Sequence, residues 1–431
     1  MYRKIMGFLE AWKESEHRKP FILQGARQVG KTYSILEFGR THYENVAYFN
    51  FETNPKLNET FEENISPDYL IPILSHIAGQ TIVKEKTLIV FDEVQLCERA
   101  LTSLKYFCEN APDYHIIVAG SLLGVAVNRA KFSFPVGKVD MKTLYPMDME
   151  EFMLALGEDD LVEQIKKCFN TDTPLPSALH DAAMQLYRQY LVVGGMPECV
   201  MQFAQTKDYI LVRHTQDTIL ASYLNDMSKY NNLNEIKKTR LAYDNITVQL
   251  SKKNTRFQYK LIKKGGRASE FENAIEWLCL SGIVSQVYKV EQIKKPLENY
   301  RDIDAFKIYV SDLGLLCAQK DLTANDILYM VEEINDFKGG MAENYVNVQL
   351  TINGYHTYYW ESERGAEIDF IIQRDGQLIP IEVKSADNTK AKSLRVYMDT
   401  YKPTYAIKLS AKNFGCEGNK KIVPLYAAFC I

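Results

Sequence analysis

The sequence predicts an α/β fold, with a parallel sheet around a glycine-containing loop and further helical and mixed domains behind it. Three observations carry that expectation. In ILQGARQVGKTYS, a short apolar strand ending at Leu23 is followed by a glycine loop and then by a segment of helical period from Lys31. In KTLIVFDEVQ, the apolar run Leu88 to Phe91 reads as a buried parallel strand delivering Asp92 and Glu93 at its carboxyl end. Two further runs, NVAYFNFE (Asn45 to Glu52) and YHIIVAGS (Tyr114 to Ser121), fit the same sheet.

Composition bounds the rest. A chain of 431 residues exceeds the usual domain of roughly 100–200, and 46% hydrophobic with 25% charged residues is the balance of a globular protein with several cores. A net charge of −4 excludes a uniformly basic nucleic-acid coat, so contact with DNA has to come from a local patch. The 8 cysteines form no CxxC pair, and MYRKIMGFLEAWKE lacks the charged-then-apolar order of a signal peptide, which together point to the reducing cytoplasm. The longest nearly apolar run, His115 to Val127, is shorter than the roughly 20 residues of a spanning helix, so no membrane segment is expected.

The loop comes first in the chain and carries the most chemistry. Gly25, Ala26, Arg27, Gln28, Val29, Gly30, Lys31 and Thr32 fit G-x-x-x-x-G-K-[ST], in the required order of strand, loop and helix. Glycines are needed because the loop amides must converge on phosphate with no side chain in the way, and the following helix adds its positive end. Lys31 would reach the β- and γ-phosphates of ATP, and the Thr32 hydroxyl would ligate Mg²⁺. Of the acidic pair, Asp92 would hold the magnesium through water and Glu93 would orient and deprotonate the attacking water. Ser121 stands where a γ-phosphate sensor would sit.

Together GARQVGKT, LIVFDEVQ, IIVAGS and FPVGKVDMKTLYPMDMEEF (Phe134 to Phe152) resemble the AAA-type P-loop ATPases of bacteria and archaea that carry a C-terminal domain of unknown function. The resemblance covers nearly the whole chain. It implies an ATPase core over residues 1–155, hydrolysis of ATP to ADP and phosphate, and the Arg27 and Gln28 found inside the loop.

Residues 156–235 read as helical, with LHDAAMQLYRQYLVVGGMP ending in a Gly-Gly break and a proline. They resemble the helical lid of such ATPases, whose arginine finger could be Arg213 or another lid arginine. In residues 236–300, SKKNTRFQYKLIKKGGR (Ser251 to Arg267) holds seven lysines or arginines and no acid. A helix stripe of Phe271, Ala274, Ile275 and Leu278 stops at Gly282, and the alternating VSQVYKV follows. Helix, helix and strand pair suggest a winged helix, a module that takes either DNA or a partner protein.

The tail, residues 301–431, reads as αβββαβ, with Glu343 on its first helix, Asp369 in AEIDFIIQ, and Glu382 and Lys384 in QLIPIEVKS. Period-2 alternation puts Glu382 and Lys384 on one face of their strand. Asp369 and Glu382 would hold Mg²⁺, Glu343 would complete the shell, and Lys384 would position or deprotonate water. The motif order resembles the PD-(D/E)XK nuclease core, although GAEID stands where a proline-aspartate would precede the second strand. Three functions remain open: an ATPase coupled to remodelling of DNA or a partner protein, a metal-dependent nuclease gated by ATP, and a nucleotide-switched DNA-bound regulator.

Overall fold

The structure, a computed structural model, describes residues 1–121, 123, 134–229, 233–250, 256–385 and 392–431. Two compact units emerge, Tyr2–Tyr145 with Leu280–Gly282, and Pro146–Cys279 with Ile283–Ile431. The sequence reading divided the chain more finely, and its boundaries at 155, 235 and 300 all fall inside the second unit.

The first unit is built on strands β1 (Phe21–Gln24), β2 (Asn45–Asn50), β3 (Thr87–Asp92), β4 (His115–Gly120) and β5 (Asp140–Thr143), in the spatial order β2-β3-β4-β1-β5. Every neighbouring pair is parallel. The centre of the sheet has to be apolar on both faces, which is why TLIVFD and HIIVAG are buried at every position. Phe49, Phe51, Phe61 and Phe91 pack against one another with ring centroids 5.5–6.0 Å apart, adding about 0.5–1.5 kcal/mol per pair beyond simple burial. Because all the strands run the same way, the residues that follow them gather at one edge of the sheet, the usual place for a ligand. The apolar run from His115 to Val127 forms β4 as far as Gly120, and residues 122 and 124–133 lie outside the described residues.

The second unit begins with helices Met149–Ala155, Asp159–Thr171, Ser177–Val193, Pro197–Thr206, Tyr209–Lys229 and Leu233–Leu250. Its glycine break is a packing necessity. A Cβ on Gly195 would stand 2.0 Å from the Met147 carbonyl oxygen, and the Gly195 amide donates to the Asp312 carboxylate at 2.6 Å. Burial pushes the Asp312 carboxyl up to about 6, against the pull of the Leu315 and Gly195 amides that donate to it.

An eight-stranded mixed sheet completes this unit. Its strands are β6 (Val284–Val290), β7 (Arg301–Val310), β8 (Tyr358–Glu361), β9 (Glu367–Arg374), β10 (Gln377–Val383), β11 (Ala406–Ser410), β12 (Gly415–Glu417) and β13 (Lys420–Pro424), in the order β12-β13-β11-β10-β9-β8-β6-β7. Helix Asn335–Ile352, strands β8 to β10, helix Lys392–Tyr401 and strand β11 reproduce the expected αβββαβ order. The strand expected in a wing lies elsewhere: β6 pairs antiparallel with β7 and parallel with β8, making the hairpin the outer part of the tail's sheet. The reason is apolar surface. Ala305 to Val310 of β7 are all buried, and a free wing would leave one of those faces in water. Of the basic run, residues 251–255 lie outside the described residues, and Lys263, Lys264 and Arg267 are exposed.

Candidate functional site

The loop after β1 is held open by backbone conformations that side chains disfavour. Gly25 has φ 147, and a Cβ there would stand 2.2 Å from the Leu144 carbonyl oxygen. Gly30, at φ 92, leads into helix Lys31–His42. Gln28 adopts φ 63 with its side chain exposed, and Arg27 is half-buried. Beneath the loop, the buried Arg3 guanidinium donates to the carbonyls of Val29 at 2.9 Å and Tyr145 at 2.8 Å.

Lys31 is buried and folds its ammonium into the loop, donating to the carbonyls of Gly25 at 2.9 Å and Ala26 at 2.7 Å. Burial pushes its pKa down to about 8, opposed by the nearby Glu93 and Asp92 and assisted by Arg27. A lysine so desolvated gains from any anion brought into the loop.

At the end of β3 the acids stand in two different settings. Asp92 is 4% exposed, and its Oδ2 accepts from the Thr32 hydroxyl and from the Tyr48 hydroxyl, each at 2.8 Å. Its Oδ1 accepts from the Glu93 amide at 2.9 Å. Burial first, then the contact with Asp92, pushes the Tyr48 phenol up to about 12, so it stays a donor. Glu93 turns the chain at φ 53, and Gln95 donates its side-chain amide to the Glu93 carboxylate. On its other side Gln95 packs against Gly120, where a Cβ would come within 2.5 Å of Gln95 Oε1. Ser121 follows β4 directly, buried, with a hydroxyl that makes no hydrogen bond among the described residues.

The structure thus brings Thr32 and Asp92 together as hard oxygen donors, which suits Mg²⁺. Among the described residues no group of three or more His, Cys, Asp or Glu is arranged to hold a metal alone. That fits an ion held by one hydroxyl and one carboxylate together with phosphate oxygens and water. Sequence reasoning missed Arg3, Tyr48 and Gln95. Only Gln95 left a signal, as the polar residue two places beyond the acidic pair.

In the second unit, Glu343, Asp369, Glu382 and Lys384 do collect around one another. Asp369 Oδ2 accepts from the Val383 amide at 2.7 Å, and the Lys384 ammonium contacts Glu382 Oε1 at 2.6 Å. Glu382 Oε2 is buried and has no hydrogen-bond partner among the described residues. Glu343 Oε2 accepts from the Tyr309 hydroxyl at 3.0 Å and from the Lys307 ammonium at 3.2 Å, and Lys307 also pairs with Glu367. Burial, then Glu343 and Glu382, pushes the Asp369 carboxyl well above its usual range. For Lys384, burial is outweighed by Asp369 and Glu382, and the pKa rises. Lys307 and Tyr309 were missed, although FKIYV places both on one face of β7, a lysine among apolar residues. Arg213, the named candidate finger, pairs with Asp321 at 3.3 Å and donates to the Leu322 carbonyl, both within its own unit.

Comparison with known proteins agrees with the first unit's geometry. The family model described as an AAA domain matches residues 17–153. Two models described as domains of unknown function, DUF8612 and DUF4143, match residues 184–326 and 338–428. No curated protein sequence matches the chain. Among solved structures, a Walker-type ATPase of Pyrococcus abyssi is 13% identical, with 74% of this chain and 95% of that one covered at a TM-score of 0.44. The ORC2 protein of Aeropyrum pernix in ADPNP-ADP complexes is 11% identical, with 77% and 94% covered at 0.36. The ORC1 protein of Aeropyrum pernix in complex with DNA is 12% identical, with 74% and 91% covered at 0.28. No helix among the described residues is long and apolar enough to cross a membrane. The match to the AAA-domain model spans the glycine loop and all five strands of the first unit's sheet.

Proposed function

We propose that the first unit binds ATP with Mg²⁺ and hydrolyses it to ADP and phosphate. The observation that carries this reading is the joining of Thr32 to Asp92 at 2.8 Å, beside a buried Lys31 and a Glu93 held by Gln95. Lys31 and the loop amides grip the phosphates, and Thr32 and Asp92 would hold the magnesium, which neutralises developing charge. Glu93 accepts the proton of the attacking water, Gln95 sets its direction, and Ser121 offers a free hydroxyl to the γ-phosphate. The eight cysteines are all free thiols, in keeping with a cytoplasmic protein.

The test is nucleotide binding and phosphate release by purified protein. Lys31→Ala should abolish ATP binding. Glu93→Gln should keep it while slowing turnover about a hundredfold or more, the usual worth of a general base. Wild-type turnover by Glu93→Gln contradicts the assignment.

The work that hydrolysis serves is read from the second unit, as remodelling of DNA or of a partner protein. Its αβββαβ order and the convergence of Asp369, Glu382 and Lys384 favour a nuclease-like module, and the exposed Lys263, Lys264 and Arg267 offer contacts to phosphate. Replacing Lys263 and Lys264 together by Ala should weaken DNA binding and reduce the slope of log K against log salt by about 2, one unit per lost phosphate contact. An unchanged slope removes this patch from DNA binding. A nuclease gated by ATP predicts instead Mg²⁺-dependent nicking of plasmid that Asp369→Ala abolishes and that no longer responds to ATP in Lys31→Ala. A nucleotide-switched regulator predicts binding without nicking.

A further inference from the structure

The acidic cluster of the second unit contains a cation that its motif does not include. Lys307 lies on β7, outside the helix and strands expected to form the site, and is 1% exposed. Its ammonium reaches Glu343 at 3.2 Å and Glu367, and lies 5.2 Å from the centroid of the Tyr359 ring. A buried ammonium persists only where carboxylates or an aromatic face replace the lost water, and Lys307 has both. Its strand is fixed by pairing to β6, with Lys307 opposite Val287, and by a bridge on its other side to Arg256.

Each acid expected to hold metal is engaged by a protein donor. Glu343 is taken by Lys307 and Tyr309, Glu382 Oε1 by Lys384, and Asp369 Oδ2 by the amide of Val383. Glu382 Oε2 is buried without a hydrogen-bond partner among the described residues, while the positive charge beside Glu343 and Glu367 is already supplied by Lys307. Among the described residues no three acidic, imidazole or thiol side chains are arranged around a common ion. The donor set and the expected metal therefore disagree.

We infer that the Lys307 ammonium takes the place of a divalent cation in this cluster, so that the cluster binds no metal while Lys307 is present. The inference stands apart from ATP hydrolysis, which concerns the other unit. It bears on the module reading by making the cluster a structural or DNA-holding one.

The experiment uses the full chain without nucleotide, carrying Asp92→Asn to silence the loop's own metal ligands, with Mn²⁺ as the probe. Binding is read from the electron paramagnetic resonance signal of free Mn²⁺, and stability from thermal melting. The parent should bind no Mn²⁺ and show no change in Tm. Lys307→Met should gain one Mn²⁺ per chain, with Tm rising by about 5 °C or more at saturation, and a further Asp369→Asn should remove both effects. Lys307→Arg, which keeps the charge, should bind none. A parent that already binds one Mn²⁺ lost on Asp369→Asn overturns the inference. So does a folded Lys307→Met chain that binds none. If Lys307→Met folds poorly, Mn²⁺ should restore it, and failure of that rescue also counts against the inference.

Discussion

A lysine whose pKa lies near 8 before any phosphate arrives makes nucleotide affinity depend on pH in a definite direction. Below that value Lys31 is already protonated and ATP binds without proton uptake. Above it the free protein has lost the proton that bound phosphate demands, so each complex must take one up. Affinity should therefore fall as pH rises beyond about 8, approaching tenfold per unit until the bound-state pKa is reached. Isothermal titration over pH 6.5 to 9.5, with proton uptake read from buffers of different ionisation enthalpy, checks the sign. Gln95 offers a second test at this scale. Its removal leaves Glu93 without its amide partner, so Gln95→Ala should lower kcat by about tenfold with little change in KM, the pattern of a positioning residue. Lys31, Thr32, Asp92 and Glu93 were legible because their chemistry lies in short contiguous patterns. Tyr48 was not, because it reaches Asp92 only through the register that sets β2 against β3, with Asn50 opposite Asp92.

At the level of elements, the apolar strands β1, β3 and β4 and the helix after the loop stood out because burial on both faces writes itself as an unbroken apolar run. Strand β5 carried no such mark: DMKT is an edge strand with no fully buried position, so its sequence looks like a loop. Of the hairpin β6–β7, only β6 was legible as a strand, and its pairing was not, since nothing local in VSQVYKV says that it will lie beside β8 from some 70 residues further on. The Gly-Gly break was read as a helix stop, and the structure adds why it must be glycine. Gly195→Ala would drive a Cβ to 2.0 Å from the backbone oxygen of Met147, an atom with no rotamer to yield. The expected cost is about 3 kcal/mol or more, visible as a lowered Tm or as loss of soluble protein. A melting curve like that of the parent contradicts the close packing.

For the whole molecule, the sequence pattern separated a phosphate-binding sheet from an αβββαβ tail, and both are present, each in its own compact unit. Contacts between distant segments hold the second unit together. The glycine break at Gly195, for instance, is fastened to Asp312 across more than a hundred residues. The first unit makes one chemical claim, that Glu93 is the base for a water attacking ATP gripped by Lys31 and Thr32. The most direct measurement is the identity of the nucleotide that Glu93→Gln protein retains after incubation with Mg²⁺ and ATP, extracted and resolved by chromatography. The account predicts bound ATP, unhydrolysed over a period in which the wild type converts its own to ADP. ADP appearing in the variant at the wild-type rate would contradict it.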